Sequence, residues 1–168
     1  MIVEIKNQIK NLLKDVGVVN DIEAIGRVIK DTDALLVVDA ISGLGAIDLK
    51  TDEWFCDVVV SGSQKGLMLP PGLGFISVSP KAGKLNATSK CPKYYFDLKE
   101  AKKALDKTDT LFTPAISLII ALNESLKMIK QDGLENVFLR HKKLADATRA
   151  AVYALGLELF APTAASDV

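Results

Sequence analysis

Cysteine is scarce in this sequence, and histidine scarcer. The two cysteines, Cys56 and Cys91, cannot build a disulfide framework, and they lack the CxxC spacing of zinc or redox sites. Their scarcity suits a reducing, cytoplasmic compartment. Cys56 adjoins an apolar run and reads as a small buried hydrophobe. The single histidine, His141, stands among Arg140, Lys142 and Lys143. It reads as part of a solvated face, and no metal site is expected. An excess of one charge is missing too, since 21 basic residues balance 21 acidic ones. That argues against a nucleic-acid partner and against an anionic membrane surface. No apolar run is long enough to span a bilayer. The first residues are broken by Glu4, Lys6 and Lys10 and do not read as a signal peptide. Internal repeats and low-complexity tracts are absent.

What is present is a globular composition, 49% hydrophobic and 25% charged, with material for a core. The length, 168 residues, suits one domain or one domain with part of a second. Ile2, Ile5, Ile9, Leu12, Leu13 and Val16 recur at helical spacing and predict an amphipathic helix over 1–15. Asn20 followed by Glu23 resembles a capping box, which would open a helix to about Lys30. Ala34–Val38, Asp57–Ser61 and Phe75–Val78 are apolar runs without alternation. Such runs suit strands of a parallel sheet buried on both faces. Residues 80–110 look like an irregular surface excursion, with Lys81, Lys84, Lys90 and Lys93 facing solvent.

Pro114 suits an early turn of the next helix, with Leu118, Ala121, Leu122, Leu126 and Ile129 on its apolar face. Gly133 breaks the chain. A long helix is expected over 134–155, with Leu134, Val137, Phe138, Leu144, Thr148, Ala151, Val152 and Leu155 inward. Gly156 is a good stop. Leu157–Phe160 reads as a strand opening a second, smaller domain.

Two residues stand out for chemistry. Asp39 ends one predicted strand, and Lys65 lies just past the next. Sites in parallel sheets form at the carboxyl ends of strands. If residues 40–56 are a crossover, the acid and the amine share one edge. On residue type alone, Asp39 is better explained as a turn former or helix cap, and Lys65 as a solvated loop lysine.

The local strings narrow this. Val38–Leu49 reads VDAISGLGAIDL, and Ser61–Gly74 reads SGSQKGLMLPPGLG. Both resemble the class V (fold-type I) aminotransferases, in particular the serine–pyruvate and alanine–glyoxylate branch. Thr113–Leu122 and Gly133–His141 are similar to that family as well. The resemblance implies an α/β fold: a partial large domain with a mainly parallel sheet and flanking helices over 1–130. The small C-terminal domain would begin over 131–168. It implies pyridoxal 5'-phosphate as cofactor, a homodimer, and a small amino acid (serine, alanine or aspartate) with a 2-oxo acid (pyruvate or glyoxylate) as substrates. Lys65 would be the Schiff-base lysine and proton shuttle, and Asp39 would pair with the pyridine nitrogen. Ile41 would pack under the ring, or would be an ordinary hydrophobe at a strand exit. Gln64 would sit near the phosphate. Thr110 or Thr113 would reach a neighbouring subunit's phosphate, and Thr113 could instead cap its helix.

Several family features have no match in the sequence. These are the upstream phosphate loop, the aromatic that stacks on the ring, and the C-terminal arginine that grips the substrate carboxylate. The strand expected before Gly17-Val18-Val19-Asn20 looks deleted. A non-catalytic homologue serving as an oligomerisation or interaction module is therefore the alternative expectation. A lyase or desulfurase on the same scaffold is a third, for which Cys91 is the candidate reactive thiol.

Overall fold

The computed structural model describes residues 17–161 and 166–168. The helix expected over 1–15 lies outside the described residues. Helix α1 covers Ile22–Ile29. Its first turn is capped by Asp21, whose carboxylate accepts the Ala24 N–H at 2.8 Å. This corrects the cap expected at Asn20: the side chain one residue later reaches the orphan donor. Ile25 and Ile29 are buried against the sheet.

Three strands follow: β1 at Val37–Asp39, β2 at Val58–Gly62 and β3 at Gly74–Val78, in the order β1-β2-β3. β1 and β2 pair in parallel, with Asp39 opposite Val60. β3 runs antiparallel to β2, so this small sheet is mixed. The short connection through Pro70 and Pro71 can turn the chain back but cannot carry a parallel crossover. The strands are covered on one face, which corrects the expectation of burial on both. Val38 is 6% exposed and its neighbour Val37 is 61% exposed. Leu36, Val38, Ala40, Cys56 and Val59 join Ile25 and Ile29 in one cluster. Each large side chain so buried contributes roughly 1.5–3 kcal/mol.

Where an irregular stretch was expected, two helices form: α2 at Pro80–Thr88 and α3 at Leu98–Asp106. Ser79 caps the first and Asp97 the second. Both are Ser/Asp N-caps of the usual kind. Lys81 is not a free surface charge. Its amine donates to Thr32 O at 2.9 Å and lies 3.7 Å from the buried Asp57 carboxylate. Asp57 in turn accepts the Leu36 N–H at 3.0 Å and the Ser79 hydroxyl at 2.8 Å. One carboxylate thus fixes the entries of β1 and α2 beside β2.

Helix α4 runs Ile116–Asp132 and α5 runs Leu134–Ala154. Ala115 is the residue at the α4 cap, so Pro114 precedes the helix rather than opening its first turn, and Thr113 does not cap it. Gly133 separates the two helices at φ 81. Ile129 of α4 and Val137 of α5 close a second cluster with Leu67 and Leu69. Most of the face expected to point inward on α5 does not. Val137 is 1% exposed, whereas Leu144 is 63% and Leu155 76% exposed. Gly156 ends α5 at φ 74, as its position suggests. Residues 157–160 form no strand. Among the described residues, no helix is long and apolar enough to cross a membrane.

Candidate functional site

Asp39 is the last residue of β1 and is exposed at its carboxyl end. One carboxylate oxygen, Oδ1, accepts the Ile41 N–H at 2.9 Å. That bond orients the acid and leaves its second oxygen without a protein partner among the described residues. Ile41 itself is half-buried.

Lys65 lies beyond the carboxyl end of β2, on a loop held by Ser63. Ser63 is fully buried. Its hydroxyl donates to Pro70 O at 2.7 Å and accepts the Leu73 N–H at 3.2 Å. Its backbone N–H donates to Leu73 O at 3.1 Å, and its carbonyl accepts the Leu69 N–H at 3.1 Å. The Lys65 carbonyl accepts the Met68 N–H at 2.8 Å, which closes a turn. Ser125 of α4 donates its hydroxyl to Leu67 O at 2.5 Å and ties the loop to the helices. The backbone beneath Lys65 is therefore fixed from several sides. The Lys65 amine is exposed and has no hydrogen bond or ion pair among the described residues.

The loops after β1 and β2 touch backbone to backbone. A Cβ on Gly66 would lie 2.4 Å from Leu44 O, and Gly45 takes φ +82 opposite it. Only glycine permits that approach. This contact brings the two loops to one edge, as the parallel pairing requires.

Asp39 and Lys65 do not line one cavity. Asp39 lines a cavity of about 740 Å³ with Asn20, Asp21, Glu23, Asp48 and Trp54. Lys65 lines a neighbouring one of about 360 Å³ with Met68, Arg140 and His141. The two share Ser42 and Val168. Both volumes fall in the range of small-molecule sites. The expectation of a single shared cavity is corrected to two that meet at Ser42. Their side chains differ in charge. Asp21, Glu23, Asp39 and Asp48 and no basic side chain line the first; Lys65 and Arg140, with His141 and no acidic side chain, line the second, and Val168, the last residue, lines both.

The other expected site residues fall outside both cavities. Gln64 is exposed and folds back over Gly62, where a Cβ would meet its Oε1 at 2.8 Å. Thr110 and Thr113 are both exposed, and the Thr110 hydroxyl donates to Phe112 O at 2.9 Å. Arg140 and His141 were read as a solvated helix face. His141 is instead half-buried beside Lys65. Nothing local marks them. They reach the site because α5 packs its first turns, through Val137, against Leu67.

Asn20 Oδ1 is enclosed without a hydrogen-bond partner. Such groups are uncommon in folded proteins. Among the described residues, no group of three or more His, Cys, Asp or Glu could hold a metal ion. The residues present fit the ring end of a pyridoxal phosphate: an oriented carboxylate with a free oxygen, an unpaired amine, and cavity volume beside each.

Comparison with known proteins bears on what this edge is for. The family model described as aminotransferase class-V matches residues 7–166. The protein named soluble hydrogenase 42 kDa subunit, from Anabaena cylindrica, is 52% identical over 146 residues, 86% of this chain and 38% of that protein. The L-aspartate–glyoxylate aminotransferase of Paracoccus denitrificans is 44% identical over 147 residues, 86% of this chain and 37% of that one. The solved structure of alanine–glyoxylate aminotransferase from Nostoc sp. has a TM-score of 0.80 at 29% identity, covering 85% of this chain and 39% of the other. The chain thus spans well under half the length of the relatives it matches.

Proposed function

Because this chain belongs to the class V aminotransferase family, whose model spans residues 7–166, we propose that it is the cofactor-binding part of a pyridoxal-phosphate-dependent aminotransferase. The reaction is transamination between a small amino acid (serine, alanine or aspartate) and a 2-oxo acid, pyruvate or glyoxylate. One observation carries the reading. The Asp39 carboxylate ends β1 and the Lys65 amine stands past the carboxyl end of β2, its parallel partner, and the loops that follow are locked together at Gly66.

Bound pyridoxal phosphate supplies an electron sink for the substrate's Cα. Asp39 would hold a proton at the pyridine nitrogen with the oxygen that Ile41 leaves free. Lys65 would be the attachment point and would carry the proton removed from Cα. An amine without a protein partner serves both tasks, because neither requires breaking an ion pair first. Ile41 would pack beneath the ring. Gln64 and one of Thr110 and Thr113 would hold the phosphate, the threonine from a neighbouring copy; all three are exposed and line neither cavity of this chain.

The reading includes a homodimer. Tyr94 and Phe96 are 86% and 88% exposed. Aromatic side chains so open to water are expected of an association surface. It also assigns 1–130 to the cofactor-binding domain and 131–168 to the beginning of the second.

The test is spectroscopic. The chain mixed with pyridoxal phosphate develops a yellow visible absorption band that the Lys65→Ala variant lacks. Identical spectra for the two proteins would turn the account to a non-catalytic homologue.

A further inference from the structure

Met68 sits in a backbone conformation that its side chain disfavours. Its φ is 59, in the left-handed region, where a Cβ crowds the neighbouring carbonyl and glycine alone escapes the cost. Glycine stands at 66 and 72 of the same loop, yet not at 68. Hydrogen bonds on either side impose the turn. The Met68 N–H donates to Lys65 O at 2.8 Å, and the Leu69 N–H donates to Ser63 O at 3.1 Å. Burial does little to offset the strain. Leu67 and Leu69 are 8% and 7% exposed and anchor the loop in the second cluster, whereas Met68 between them is 51% exposed. Met68 lines the same cavity as Lys65. Among the described residues, Phe55 and Thr108 also take a positive φ, and neither lines that cavity or the one at Asp39. Backbone strain that packing does not offset points to a role at the site itself.

We propose that Met68 is a positioning residue for Lys65: its thioether chain walls the cavity beside the amine and keeps water from the bond that Lys65 forms with an aldehyde. In that reaction the unprotonated amine attacks the carbonyl carbon. A C=N bond replaces the C=O bond, and the oxygen leaves as water with two protons from the nitrogen. The reverse step consumes a water. An apolar side chain at this point excludes water and shifts the balance toward the joined state. Methionine suits the task, because its unbranched, flexible chain fills irregular gaps. The inference deepens the function proposed above and rests on it for the aldehyde that Lys65 meets.

The test uses salicylaldehyde, an aromatic aldehyde with neither phosphate nor ring nitrogen. The chain is equilibrated with it, trapped with borohydride and mapped by mass spectrometry. The exposed Lys143 serves as internal reference. The ratio of Lys65 adduct to Lys143 adduct should fall at least about threefold in Met68→Gly, a modest part of what one apolar side chain contributes by excluding water. Met68→Leu keeps an apolar chain of similar volume and should stay within about twofold of the wild type. Thermal unfolding gives a readout of opposite sign. Met68→Gly removes the left-handed strain, and its melting temperature should rise by about 2–4 °C. An unchanged adduct ratio in Met68→Gly would overturn the proposal. So would a ratio and a melting temperature that fall together, the mark of a side chain that only packs. An equal fall in Met68→Leu and Met68→Gly would overturn it as well. A Met68-dependent ratio in a chain that gives no band with pyridoxal phosphate defeats the proposed function alone; a cofactor band with an unchanged ratio defeats this inference alone.

Discussion

Asp39 ends β1 and Lys65 follows β2, its parallel partner, yet the two residues line separate cavities that meet at Ser42. The acid and the amine are thus held near one edge without neutralising each other. An ion pair between them would leave neither available to a ligand.

Asp39→Asn tests the acid. The amide oxygen can still accept the Ile41 N–H, so stability should change by no more than about 0.5 kcal/mol. The charge facing the cavity is lost, and a charged hydrogen bond is worth roughly 1 kcal/mol more than a neutral one. Pyridoxal phosphate affinity, read by absorbance titration, should fall several-fold while the melting temperature holds. Equal affinity in the variant would remove Asp39 from the site.

The acid and the amine were legible because each ends or follows a short apolar run, and strand ends are where α/β proteins place their chemistry. The loops between them were not. The Gly66–Leu44 approach depends on two turns meeting, and a sequence shows turns one at a time. Asp21 displaced Asn20 as a helix cap because the two differ by a single position, and only geometry decides which oxygen reaches the N–H. The helices over 80–106 were hidden by Pro80 and by the lysines. Proline is tolerated in a first helical turn, and lysine-rich helices have weak apolar stripes. Arg140 and His141 lie in the Gly133–His141 stretch that resembles the family, but nothing in that string points to Lys65, since their place beside it is set by packing at Val137.

Gly26 gives a prediction whose sign depends on its packing against Trp54. In an open helix, replacing glycine by alanine stabilises by about 1 kcal/mol. In α1 a Cβ at this position would lie 1.9 Å from the backbone oxygen of Trp54. The clash dominates, and Gly26→Ala should destabilise by about 1–3 kcal/mol in urea unfolding. A stabilised variant would mean that the turn at Trp54 does not rest on the helix.

Asp57 should prove the most sensitive polar position. Asp57→Ala leaves the Leu36 N–H and the Ser79 hydroxyl without their acceptor and the Lys81 amine without its carboxylate. A loss of about 3 kcal/mol is expected. Asp57→Asn keeps an acceptor and should lose less. Equal losses in the two variants would contradict the hydrogen-bonding account.

The two cysteines should differ in reactivity. Burial, and then the Asp57 and Asp52 carboxylates, push the Cys56 thiol up from an ordinary 9.0. Cys91 is exposed. At neutral pH iodoacetamide should label Cys91 well before Cys56, as peptide mapping would report. The same shift has a sign for stability. Its folded value lies above the unfolded one, so the contribution is full below about 9.0 and is lost as pH rises through the folded value. The urea midpoint should fall on the alkaline side, less so in Cys56→Ala.

The most direct test is covalent. The chain is incubated with pyridoxal phosphate, reduced with borohydride, digested and mapped by mass spectrometry. The account predicts one dominant phosphopyridoxyl modification, on Lys65, whose yield drops in Asp39→Asn. Modification spread evenly over the exposed lysines, or centred on any lysine other than Lys65, would contradict it.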